Sequence, residues 1–313
     1  MLVLITFGFL ATAVVLGTAV WIEANLHRIA ALTDYPERPA AGSGTNWLLV
    51  GSDSRGDLTL EQQSELSTGG DLGSGRTDTI LLVHIPGLAS GQPTTMVSIP
   101  RDSYVAIPGW GSDKINAAFV EGGAPLLTQT VEQATGLRID HYVEVGFAGF
   151  GRIVDALGGV QLCLPEPLRD PLAGIDLPVG CQMLDGANAL GYVRSRATPR
   201  ADLDRMRHQR EFMSAVMARA TSPGPWINPW RWYAVPHAVV GALTVDTGTH
   251  VWDLARLGWS LHGQPTTVTV PIGEFVGNES GAVVVWDSAS AGALFDALYS
   301  DAAIPQQVID GQP

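Results

Sequence analysis

Apolar positions along this chain fall into a few long runs separated by Gly-, Pro- and Ser-rich breaks. Residues 2–22 (LVLITFGFLATAVVLGTAVWI) carry no charge, and about 20 apolar residues in a helix suffice to cross a bilayer. Three shorter runs, at 46–51 (NWLLVG), 79–85 (TILLVHI) and 94–99 (TTMVSI), are continuously apolar. Such runs predict strands covered on both faces, and the GQP between the last two supplies turn residues for a hairpin-like link. A helix is expected over 115–134. The alternating DHYVEVG at 140–146 reads as a strand, FAGFGRIVDAL at 147–157 as a helix stopped by Gly158-Gly159, and 160–164 as a short strand. Residues 184–193 suggest a capped helix. From Asp202 to about Ala220, Leu203, Met206, Met213, Val216 and Met217 form an apolar helical stripe. After the Trp- and Pro-rich stretch 224–236, helices are expected near 250–261 and 288–299, with strands at 267–271 and 282–286.

No internal repeat is visible, and strands alternate with helices. The expected class is therefore α/β: a single mixed β-sheet flanked by helices as a sandwich, preceded by an N-terminal transmembrane helix. The implied organisation is an anchor over 1–22, a Pro- and Gly-bearing linker over 23–45, and one folded domain over 46–305. The apolar run is longer than the core of a cleaved signal peptide and ends in Trp21-Ile22-Glu23, which favours an uncleaved anchor. No Lys or Arg precedes it, so flanking charge does not set its orientation. Cys163 and Cys181 lie 18 positions apart. Outside the cytoplasm such a pair reads as a disulfide rather than a metal site, contributing about 3 kcal/mol in the chain-entropy account; two buried free thiols are the alternative.

Charge narrows the function. A formal net charge of −13 argues against nucleic acid as a partner. There are 17 Arg and a single Lys, Lys114, and six of the arginines crowd between Arg194 and Arg210. A local anion site inside an acidic protein fits that distribution. Asp53 and Arg55 follow the first of the three strands, Arg76 and Asp78 flank the start of the second, and Arg101-Asp102 follow the third. These ends should meet at one sheet edge, where α/β proteins commonly hold ligands. Two aspartates there could share a hard cation, Mg²⁺ or alternatively Mn²⁺, whose remaining positions take water and phosphate oxygen. Guanidinium groups suit phosphate. In Arg194-Ser195-Arg196 an extended backbone would turn both arginines to one side. In the helix opening at Asp202, Arg205 and Gln209 share a face. Each motif alone also reads blandly, as strand-end salt bridges, a solvated basic rim or an exposed charged helix. There is no GxSxG elbow, no HExxH, no Cys/His pair and no phosphate-cradling glycine loop. Covalent catalysis is thereby disfavoured, leaving positioning and charge neutralisation, the usual means of phosphoryl transfer.

Taken in order, NWLLVGSDSR (46–55), GRTDTILLVHI (75–85), MVSIPRDSYV (96–105), KINAAFVEGG (114–123), VGFAGFGRIVDALGGV, LDGANALGYVRSR (184–196) and DLDRMRHQREF (202–212) resemble the LytR-CpsA-Psr family, collinearly over residues 46–220. The resemblance implies a membrane-anchored, extracytoplasmic phosphotransferase that moves a glycopolymer from a polyprenyl-pyrophosphate carrier onto peptidoglycan through a phosphodiester. Asp53 and Asp78 match the family's Mg²⁺ ligands. Arg76, Arg101, Arg194 and Arg196 match arginines that contact the pyrophosphate. Arg205, Gln209 and the acidic Asp202 match its late motif, and Arg101, Asp202 and Arg205 are the positions expected to act in catalysis. The polyprenyl tail would lie in an apolar groove between sheet and helices, with peptidoglycan and membrane lipid as further partners. The family often has Arg-Gln where this chain has His208-Gln209, and Arg207 stands one helix step, about 100°, away. The arginine bias and the cysteine loop look actinobacterial, which favours arabinogalactan as the polymer. Two other functions share these residues: hydrolysis of the polyprenyl pyrophosphate with water as acceptor, and a non-enzymatic scaffold that binds anionic wall polymer. Asp202 and Asp204 are candidates for the base by charge alone.

Overall fold

A computed structural model describes residues 2–52, 77–195, 208, 211–212, 214–216, 218–220, 222–262 and 265–311; of residues 2–8, 10, 11, 78, 147, 148, 225, 226 and 229 it describes the backbone alone. The central sheet is seven-stranded and mixed. Its strands are β1 (His27–Ile29), β2 (Thr45–Ser52), β3 (Thr77–Ile85), β4 (Thr95–Ile99), β7 (His141–Gly146), β12 (Leu243–Asp246) and β13 (Thr266–Thr269), in the order β1-β12-β7-β2-β3-β4-β13. β2 runs parallel to β7 and antiparallel to β3, and β4 is antiparallel to β3.

Continuous apolar runs became strands buried on two faces, as expected. On one face Leu48, Val50, Ile80, Leu82, Val97 and Ile99 meet α2 (Ile115–Thr135) and α8 (Ser288–Tyr299) through Ile115, Leu127, Val131, Leu294 and Phe295. On the other, Trp47, Leu81, Val83 and Val143 meet Leu257 and Leu261 of α7 (Val251–His262) and Leu26 just after α1 (Leu2–Asn25). A third cluster joins α3 (Phe147–Ala156), α4 (Gly186–Arg194) and the paired strands β8 (Val160–Leu164), β9 (Leu168–Asp170), β10 (Ile175–Leu177) and β11 (Gly180–Leu184). Here Cys163 and Cys181 stand directly opposite each other on β8 and β11 and form the expected disulfide.

Several elements were not legible as such. The hairpin of β5 (Tyr104–Ile107) and β6 (Gly111–Lys114) is too short and polar to show a period. The Trp- and Pro-rich stretch is helical, as α5 (Pro223–Ile227) and α6 (Pro229–Val240), because each Pro that opens a helix sits where its missing N–H costs nothing. A strand β14 (Ile272–Asn278) pairs with β15 (Gly281–Trp286), and α9 (Gln306–Asp310) closes the chain. α2 breaks at Gly122-Gly123, where Gly123 adopts φ 62°, and resumes at Pro125.

The stretch 23–45 is not a free linker. β1 joins the sheet beside β12. Beyond it, Arg38 Nε donates to both carboxylate oxygens of Glu132 (3.1 and 3.3 Å), the Tyr35 hydroxyl donates to Oε2 (3.0 Å), and the Ile139 N–H donates to Oε1 (2.8 Å). Glu132 is 1% exposed, so this clasp fixes the entering chain by neutralising a buried charge. Among the described residues no helix is long and apolar enough to cross a membrane; most side chains of the first half of α1, within the expected 2–22 span, lie outside them.

Removing one partner of a buried ion pair is expected to cost about 3–5 kcal/mol. Arg38→Ala should lower the unfolding free energy by that order in urea titration, and Arg38→Ala combined with Glu132→Gln should recover part of it. The His141 imidazole, stacked on Trp47 at 4.2 Å and bonded to Thr249 Oγ1 at 3.0 Å, is pushed below its ordinary value of 6.5 by burial, against the opposing pull of Asp253, Asp140 and Asp246. The unfolded chain therefore takes up a proton first. Stability should be full above about pH 6.5 and fall as pH drops toward the lower folded value, a slope that His141→Gln should remove in pH-dependent thermal unfolding.

Candidate active site at one edge of the sheet

Register places the chemistry. One row across the sheet reads His27, Thr244, Glu144, Val50, Ile80 and Ile99. On the same side of that row β2, β4 and β7 reach their carboxyl ends and β3 begins. Ser52 pairs with Thr77 on one side and with Gly146 on the other. The chain neighbours of these three are Asp53, Arg76 and Phe147, the first residue of α3. Gly51 faces Thr79 and Ser52 faces Thr77, so Asp78 is the extra residue of a β-bulge. Bulges re-aim a side chain at the rim of a sheet, and Thr77 Oγ1 closes this one by donating to the carbonyls of Gly51 and Thr79, both at 3.2 Å. The Ser52 hydroxyl is fully buried beside the bulge and has no hydrogen-bond partner among the described residues.

Arg101 stands at the same edge, two residues past β4. Its loop is tied from three sides. Ser103 N–H donates to Pro100 O; Ile115 and Asn116 N–H, at the start of α2, donate to Ser103 O and Arg101 O; Val284 N–H of β15 donates to Asp102 O. Trp286 Nε1–H donates to the buried Ser103 Oγ at 2.8 Å. Asp102 takes Arg101 Nε on Oδ2 (3.3 Å) and Lys114 Nζ on Oδ1 (2.9 Å). Two cations thus share one carboxylate, which fixes the Arg101 loop to the start of α2. Lys114, the chain's one lysine, had no role in the sequence reading. A solitary Lys in so arginine-rich a chain was the signal available.

The Arg194 motif is built differently from the extended reading. Arg194 is the last residue of α4, whose N-cap Asp185 accepts the Asn188 N–H. The backbone turns extended only at Ser195 (φ −59°, ψ 137°). Ser195 is fully buried and donates to Asp170 Oδ2 at 2.9 Å, while Asp170 Oδ1 accepts the N–H groups of Leu172 and Ala173. A helical residue followed by an inward-locked serine does not obey the two-residue alternation of a strand. His208 is helical, with its ring 4.4 Å from that of Tyr192, whose hydroxyl donates to Glu211. Its ring thereby packs against Tyr192 of α4. Asp53, Arg55, Arg76, Arg196, Asp202, Asp204, Arg205 and Gln209, with the side chain of Asp78, lie outside the described residues. Among the described residues no group of three or more His, Cys, Asp or Glu could hold a metal ion.

The match to a family model, "LytR_cpsA_psr family", runs over residues 23–288. The chain belongs to the LytR-CpsA-Psr family. It is 53% identical over 293 residues to a probable cell wall biosynthesis protein, LcpB, of Corynebacterium glutamicum, covering 93% of this chain and 70% of that one. A polyisoprenyl-teichoic acid–peptidoglycan teichoic acid transferase, TagU, of Enterococcus faecalis is 35% identical over 177 residues, 56% of this chain and 53% of its own length. Among solved structures, a LytR-Csp2A-Psr enzyme from Actinomyces oris superposes with a TM-score of 0.65 at 26% identity, over 88% of this chain and 97% of its own. The family match beginning at residue 23 agrees with the docking of β1 and Arg38 into the domain.

Ser103→Ala should leave the Trp286 indole N–H without its acceptor. A loss of about 1–3 kcal/mol is expected, read as a lowered thermal midpoint.

Proposed function

We propose that this chain joins a glycopolymer to peptidoglycan, taking it from a polyprenyl-pyrophosphate carrier on the outer side of the membrane. The observation that carries the reading is the meeting of three features at one sheet edge: the Asp78 bulge, the Arg101 loop and the arrival of α1. β1 runs away from this edge, so the end of α1 precedes it on the site side. A lipid-borne diphosphate sits at headgroup level, where a site next to the exit of an anchor helix would meet it. α1 is a 24-residue helix whose first charge is Glu23, and Phe9, Val14, Val15, Leu16 and Val20 are all at least half exposed. An apolar helix exposed on every side over residues 12–17 fits a bilayer better than water.

The chemistry follows from charge. The acceptor sugar hydroxyl attacks the phosphorus nearest the glycan. The bond from that phosphorus to the bridging oxygen breaks, polyprenyl monophosphate leaves, and the hydroxyl proton passes to a base, for which Asp202 and Asp204 remain the candidates. Arg101, with Arg76, Arg194, Arg196 and Arg205 as the further proposed contacts, would bind the oxygens on which charge gathers, and Gln209 would orient them. Asp53 and Asp78 are an oxygen donor set that fits a hard divalent cation, and the Ser52 hydroxyl at the end of β2, without a partner among the described residues, suits the same surroundings. Mg²⁺, or Mn²⁺, would neutralise diphosphate charge there. The transferase name of the enterococcal relative supports glycan transfer. The arginine-for-lysine bias, with the corynebacterial likeness, leads us to arabinogalactan as the polymer.

Arg101→Ala and Asp78→Ala should each lower transfer by about 10²–10³-fold, the usual loss when one stabilising group is removed, with unchanged circular dichroism. The assay follows glycan release from carrier with and without a peptidoglycan fragment. Equal turnover by variant and wild type would refute the site, and release that ignores the acceptor would identify a hydrolase.

A further inference from the structure

The apolar end of α1 does not stand alone. Trp21 stacks on His237 of α6 at 4.1 Å, and His237 stacks on Tyr233 at 3.8 Å. Trp230, Tyr233 and His237 recur at spacings of three and four, so they lie along one face of α6. The outer members of that face are open to solvent, Trp230 at 84% and Tyr233 at 69%. On the other flank of α1, Glu23 accepts His250 Nδ1 (2.8 Å) and the Val251 N–H (2.9 Å), fixing the start of α7 against the helix. α7 buries Leu257 and Leu261 in the core and turns Trp252 (59%) and Trp259 (80%) outward, one face seven residues apart. Trp252 stacks on His250 and Trp259 lies near His262, yet these contacts leave the rings of two helices that touch the same apolar helix largely open among the described residues.

We propose that this aromatic surface seats the domain on the headgroup layer of the bilayer that α1 enters, so that α6 and α7 lie against the membrane on either side of the anchor. Indole and phenol rings favour that layer because their bodies are apolar and their tips polar. The ring ladder from Trp21 to Tyr233 runs continuously from the last turns of α1 onto the outer face of α6, which sets both at one depth. Charge agrees. This chain is acidic overall, yet no Asp or Glu occurs between Glu211 and Asp246, the stretch that contains α5 and α6, and exposed Arg256 lies between the two tryptophans of α7. Anionic headgroups would therefore not repel this surface. The inference rests on the reading of α1 as an anchor, and it adds that the domain is held down rather than swinging from a tether.

Full-length chain in vesicles of mixed zwitterionic and anionic lipid tests it. Among the described residues there is no free cysteine, so Ala255→Cys on the outer face of α7, Ile227→Cys on α5 and Leu172→Cys in the β9–β10 turn can each carry one nitroxide. Collision with lipid-soluble oxygen and with a water-soluble nickel chelate is then compared. The first two labels are expected to favour oxygen and Leu172→Cys the chelate. Adding Trp252→Gln and Trp259→Gln should abolish the oxygen preference at Ala255→Cys while the chain stays in the pellet after carbonate washing. Chelate access equal at all three sites, with carbonate-resistant anchoring, overturns the seating alone. Release by carbonate overturns the anchor, and the seating with it. Disulfide-linked dimers through Ala255→Cys without oxygen preference would assign the surface to a second copy and overturn the proposal.

Discussion

A sheet covered by helices on both faces has no room for unpaired charge along its strands, because desolvating a charge costs far more than the strand contacts return. Charge is tolerated where the strands stop. Here the parallel pairing of β2 with β7 and the antiparallel return of β3 and β4 bring four strand ends to one edge. The Asp78 bulge, the Arg101–Asp102–Lys114 group and the start of α3 sit together for that reason. Buried carboxylates are met by donors: Glu132 by a guanidinium, a phenol and a backbone N–H, and Asp170 by the Ser195 hydroxyl and two backbone N–H groups. The core thus confines charged groups to the strand ends, and the entering chain is clasped at the end of the sheet opposite the Asp78 bulge.

Much of this was legible from apolar runs. Ile80–Val83 and Leu48–Val50 announced central strands because nothing polar interrupts them. The disulfide was readable from two isolated cysteines in a Pro- and Gly-rich stretch. Other features left no local trace. β1 and β12, at one side of the sheet, are strands of three and four residues, too short to establish a period, and they pair with each other across more than 200 positions. The motif Arg194-Ser195-Arg196 looked extended, but tertiary context carried α4 through Arg194, and only the distant Asp170 explains why Ser195 turns inward. The support of the Arg101 loop by Trp286 was equally invisible, since the indole arrives from β15 across 183 residues.

The bulge at Asp78 has an evolutionary corollary. It inserts one residue between the rim and the apolar run of β3, and side chains on a strand alternate with a period of two. Loss of a single residue from this segment would either erase the bulge and re-aim the carboxylate, or slide the strand so that Leu82 and Val83 exchange faces. Both faces are filled, so neither outcome is neutral. Homologous chains should then seldom differ in length between Thr77 and Thr79, the three positions that form the bulge.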